Sequence, residues 1–93
     1  MTLDNHQEWT QDDCVNLESA REILSGLIGF RVRWIRAEKE KTQPNQTNID
    51  KWAQEKATFI GKRRRVNVLD QDNISKIQRV HGVELKRLME YGD

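Results

Sequence analysis

The only proline of the chain, Pro44, sits in the polar stretch Thr42-Gln43-Pro44-Asn45-Gln46, with helix-spaced apolar residues on both sides of it. Proline lacks an amide donor and biases the residue before it away from the α region, so a helix running toward position 44 ends before it. The chain is thereby divided near its middle, and two helices joined by a short connection pack as neighbours.

Upstream of the break, Thr10 and Asp13 have capping-box spacing, and Trp9 and Cys14 occupy the positions of a hydrophobic staple. Leu17, Ala20, Leu24, Leu27 and Ile28 then recur at helical spacing, and Trp34 and Ile35 continue the stripe to a solvated end at Glu38-Lys39-Glu40-Lys41. Gly26 and Gly29 weaken this helix by about 1 kcal/mol each relative to alanine. Phe30-Arg31-Val32-Arg33-Trp34 alternates like a strand. Continuous helix is preferred, because Trp34-Ile35 breaks the alternation and small residues so spaced let a second helix approach closely.

Downstream, Thr47-Asn48-Ile49-Asp50 is a second capping-box pattern, followed by Ile49, Trp52, Ala53, Lys56, Phe59 and Ile60 at helical spacing. Gly61 offers a stop, which the basic run behind it can postpone by a turn. Val66 and Val68 suit a short extended connection. A third helix is predicted from Asp70, with Leu69 and Ile74 as its staple and Ile74, Ile77, Val80, Leu85 and Leu88 as its apolar face, interrupted by Gly82. The expected fold is therefore all-α, a small bundle of about three helices. The competing reading is an α+β domain with short strands near 28–35 and 64–69.

The chain has 93 residues, 35% apolar and 33% charged. So short and polar a chain builds its core from a few large side chains, and a single core of this size contributes only about 3–5 kcal/mol. Completion by oligomerisation is expected. The organisation expected is a flexible acidic head over residues 1–9 and one helical domain over 10–93. No stretch reaches the ~20 apolar residues of a membrane helix, the N-terminus lacks a signal pattern, and one cysteine, Cys14, suits a reducing compartment. A cytoplasmic protein without membrane contact is expected.

Charge is unevenly placed. Residues 1–30 carry one basic and six acidic side chains, residues 31–65 carry eleven and four, and residues 66–93 carry four and five. The densest feature is Lys62-Arg63-Arg64-Arg65, whose mutual repulsion asks for anions nearby: phosphates, the acidic groups of a protein, or only counterions. Arg31 and Arg33 join this surface if their segment is a strand. On a helix, Arg33 and Arg36 stand about 200° and 140° from Arg31, so the three form no stripe.

Nothing in the residues points to catalysis. His6 and His81 have no partner at metal-ligand spacing, Gly26-Leu27-Ile28-Gly29 lacks the rest of a phosphate loop, and adjacent carboxylates on a helix diverge. No cofactor or metal is expected. A helix-turn-helix over Ile74 to Met89, with its turn at Gly82, finds Ile77 and Val83 at apolar positions but Gln78 and His81 where small and apolar residues belong. The first expectation is a non-enzymatic adaptor or regulator that docks a protein partner and forms a homo-oligomer, with Trp9, Leu24, Leu27, Ile28 and Trp34 at the contact. The second is a nucleic-acid-binding regulator using Lys62, Arg63, Arg64 and Arg65 with Arg31 and Arg33. The third is a subunit whose active site forms only with another chain, a reading that a metal or nucleotide retained through purification would favour.

Overall fold

The structure, a computed structural model, describes residues 10–91. Among them no strand forms, and three helical arms make an all-α bundle. Helix α1 runs over Gln11–Lys39, α2 over Gln46–Arg65, and the third arm is α3 (Gln71–Lys76), a π-helical turn (Ile77–His81) and α4 (Gly82–Tyr91) in unbroken succession. The alternating segment 28–35 lies inside α1, and 64–69 is the end of α2 plus a connection, so neither becomes a strand.

The expected α1 start is the observed one. Thr10 Oγ1 accepts from the Asp13 amide at 3.2 Å and Asp13 Oδ2 from the Thr10 amide at 2.9 Å, a reciprocal capping box. Trp9 and the rest of the proposed head lie outside the described residues. The start of α2 differs from expectation. Asn45, extended directly after Pro44, is the cap and accepts from the Asn48 amide, two residues ahead of Thr47. Asp50 instead receives the Gln46 side-chain amide. Nor does Gly61 stop α2, which runs on through the basic residues to Val66, whose backbone is extended. Asp70 caps the third arm as its position predicts, but Leu69 is exposed and forms no staple.

Paired contacts give the topology. Arg63 meets Ser25, Glu55 meets Arg31 and Asn45 meets Glu38, so α2 runs antiparallel to α1. Gln78 meets Asn16, Gly82 lies against Ile23 and Leu85 against Gly26, so the third arm runs in the same sense as α1. The core is Ala20, Leu24 and Leu27 of α1, Phe59 of α2, Val66 of the connection, and Ile74 and Ile77 of the third arm. Leu17, Ile23, Ile28, Leu85 and Leu88 flank it. A Cβ on Gly26 would stand 2.9 Å from both Leu85 methyls, so the absent side chain is what lets the arms meet here. Val80, expected on the apolar face, is 48% exposed.

The end of α1 is not simply solvated. Glu38 is buried, and its carboxylate accepts from the Asn45 amide at 2.9 Å and from Lys41 Nζ at 3.0 Å, tying the helix end to the turn it has just made. Those hydrogen bonds, the backbone one foremost, hold its carboxyl below the usual carboxylate range.

Candidate functional site

The residues expected to dock a partner are largely used inside the chain. Leu24 and Leu27 are fully buried in the core, which removes them as a docking surface, and Ile28 packs at the edge of that core. Trp34 is half-buried and stacks obliquely on Phe30 and Trp52, with centroid separations of 6.0 and 5.7 Å. Of the exposed apolar residues of α4, Val83 and Tyr91 share a side, about 80° apart, while Met89 stands about 240° from Val83 around the helix.

Arg31 is also reassigned. It is 6% exposed, pairs through Nε with Glu55 at 3.1 Å and through an Nη with Glu84 at 3.2 Å, and lies between the Trp34 and Phe59 rings. A guanidinium held by two carboxylates and two aromatic faces is a cross-brace of the bundle and is closed to external anions. Among the described residues its Nη1 and the Trp34 Nε1 have no hydrogen-bond partner. Arg33 is exposed, with its guanidinium over the Phe30 ring.

The basic run occupies the last turn of α2, where cations also favour the helix dipole. Successive residues stand about 100° apart around a helix, so four in a row point in four directions. Arg63 turns toward α1 and donates to Ser25 Oγ at 3.0 Å, while Arg64 is exposed. Lys62 and Arg65, three apart, share a side and line a cleft of about 430 Å³. The guanidinium of Arg65 folds back over Gly61, with Nη1 3.1 Å from where a Cβ would stand.

The opposite wall is the stripe Asn73, Lys76, Ile77, Val80 and His81, which spans α3 and the π turn. Three formal cations and an imidazole therefore line one space together with Ile77 and Val80, and no carboxylate is among the lining residues. The same π turn ends the helix-turn-helix reading, because Gly82 continues a helix where that motif needs a turn. Such turns recur at functional sites in other proteins.

His81 joins the cleft to the cross-brace. Lys62 Nζ lies 3.1 Å from its Nε2, and Glu84 Oε1 lies 3.3 Å from its Nδ1. An ammonium only donates, so with Lys62 charged the contact assigns Nε2 as acceptor and the ring hydrogen to Nδ1, directed at Glu84. The other Glu84 oxygen accepts from Arg31, and the Phe59 ring meets the imidazole edge-on at 5.4 Å. The chain Lys62, His81, Glu84, Arg31, Glu55 thus crosses all three arms.

Sequence reasoning named Lys62, Arg63, Arg64 and Arg65 with Arg31 and Arg33 as an anion-binding set, of which the cleft takes Lys62 and Arg65, and it missed Lys76, Asn73 and His81. Their only signal was the spacing 73, 76, 77, 80 on one helix side, and that spacing says nothing of which helix end lies opposite. The cleft is lined by one imidazole and by no serine, threonine or cysteine, and among the described residues no three His, Cys, Asp or Glu side chains gather to hold a metal. Fold and site define a class, all-α three-arm bundles with a basic interhelical cleft. No family model matches the chain, and no curated protein or solved structure resembles it significantly.

Proposed function

We propose that this protein is a non-enzymatic nucleic-acid-binding protein whose cleft between α2 and the third arm seats the phosphate backbone. The observation that carries the reading is the convergence of Lys62, Arg65, Lys76 and His81 on one cleft without a lining carboxylate. Cations so placed repel one another, and a polyanion relieves that repulsion while releasing its own counterions. Arginine supplies a two-pronged fork to phosphate oxygens, and Asn73 adds an uncharged donor. The protein-docking reading keeps the same fold but has lost Leu24 and Leu27 as contact residues, so the cleft is the better supported surface.

Fluorescence anisotropy of a labelled oligonucleotide, titrated at several salt concentrations, tests the proposal. Arg65→Ala and Lys76→Ala should each weaken binding and flatten the logarithmic salt slope by about 1. Lys39→Ala, at the far end of α1, should change neither. Absence of binding at low salt, or equal effects from all three variants, would reject it.

A further inference from the structure

The tautomer of His81 has a consequence for how the cleft takes its ligand. In the free protein Nε2 is occupied as an acceptor by Lys62, so the imidazole presents no hydrogen to the cleft. With the cleft empty, Nε2 faces the Lys62 ammonium at 3.1 Å, with Arg65 and Lys76 on the same cleft, while Nδ1 faces the Glu84 carboxylate at 3.3 Å. A phosphate seated between them changes the partners. Lys62 Nζ leaves Nε2 for a phosphate oxygen, Nε2 takes a proton from solvent, and the new Nε2–H donates to a second oxygen. On the far side of the ring Glu84 stays in place to receive Nδ1–H, because its other oxygen is held by Arg31, itself fixed by Glu55.

We infer that the cleft holds one phosphate group at a defined position among Lys62, Arg65 and His81, and that seating it draws a proton onto His81, making binding proton-linked. This rests on the nucleic-acid reading above and adds the position and the linkage. Glu84 and Arg31 are positioning residues in this arrangement: they orient the imidazole and do not touch the ligand. The groups facing His81 are Lys62 and Phe59 from α2 and Glu84 from α4, with Lys76 of α3 on the same cleft wall, Arg65 of α2 on the other and Arg31 of α1 behind Glu84.

The test uses the full chain carrying His6→Gln, so that His81 is the remaining histidine. The probe is a labelled single-stranded oligothymidine, whose phosphodiesters and bases do not titrate between about pH 5.5 and 8. Imidazole is the side chain that changes charge in this interval. At constant ionic strength, affinity should rise about fivefold to tenfold from pH 8 to pH 6, as expected for uptake of up to one proton. Calorimetry at one pH in two buffers of different protonation enthalpy should report that proton. His81→Gln, which keeps a donor and an acceptor, should still bind but lose the pH dependence and the uptake. In the unsubstituted site, the His81 ring resonance at neutral pH should move toward its acid position when the oligonucleotide is added. An affinity flat with pH, an unchanged rise in His81→Gln, or an unmoved resonance would overturn the proton link while leaving nucleic-acid binding intact. Failure to bind at every pH would overturn the cleft itself and this inference with it.

Discussion

Single residues decide how closely the arms approach. Gly26 and Gly29 look alike along the chain, three apart in a helix that each weakens, yet their surroundings differ. A Cβ on Gly26 meets the Leu85 methyls at 2.9 Å, whereas one on Gly29 meets only the Arg33 guanidinium at 3.9 Å. Gly29→Ala should therefore stabilise the fold by up to about 1 kcal/mol, the helix-propensity difference. Gly26→Leu should destabilise it, because overpacking of about 1–3 kcal/mol exceeds the ~1 kcal/mol that propensity returns. Denaturant midpoints moving in opposite directions would establish the contrast, and a shared direction would refute it. The pattern of small residues identified a close approach correctly, but only the position of Leu85 distinguishes the glycine that needs it.

At the scale of an element, the link between α1 and α2 shows how much of a turn is chemically encoded. The polar stretch around Pro44 reads as a break and is one, but α1 already closes at Glu40, and Asn45 caps the next helix in place of the Thr47 that the sequence pattern favours. Glu38 departs further. It looks like part of a charged, solvated tail, and it becomes buried because the returning chain brings the Asn45 amide to its carboxylate. That contact depresses its carboxyl relative to the unfolded chain, so the associated stability is fully present above the ordinary carboxylate range and is lost as pH falls through the depressed folded value. Thermal midpoints of the natural chain and Glu38→Gln, measured from about pH 7 to pH 3, should differ most at neutral pH and converge in acid. A gap that stays constant with pH would show that the carboxylate charge contributes nothing there.

For the molecule as a whole, Arg31 is the residue that joins the arms. It sits on α1 and its partners come from α2 and α4, so its role appears only once the three are assembled. Removing one partner of a fully buried pair costs about 3–5 kcal/mol, but Glu55 and Glu84 remain about a third exposed and water screens what is left. Arg31→Ala should accordingly cost about 2 kcal/mol in chemical denaturation, and a double-mutant cycle with Glu84→Gln should show coupling above about 0.5 kcal/mol. Additive effects would mean that the brace is not a unit.

Helix identity, the Thr10 and Asp70 caps and the break at Pro44 depend on interactions within a few residues, so they are legible in one dimension. The angle of each side chain around a helix is legible only once the helix bounds are known, and the run Lys62 to Arg65 reads as one set because Gly61 offers a stop. That α2 continues to Arg65 is what parts Lys62 and Arg65 from Arg63 and Arg64. What faces that angle is a different matter, because it depends on the register and sense of a helix distant along the chain. The burial of Arg31 and Glu38, the loss of Leu24 and Leu27 to the core, and the meeting of Lys62 and Arg65 with Lys76 and His81 are all consequences of that register. Assembly alone, through close packing at Gly26 and the charges it brings together, determined them.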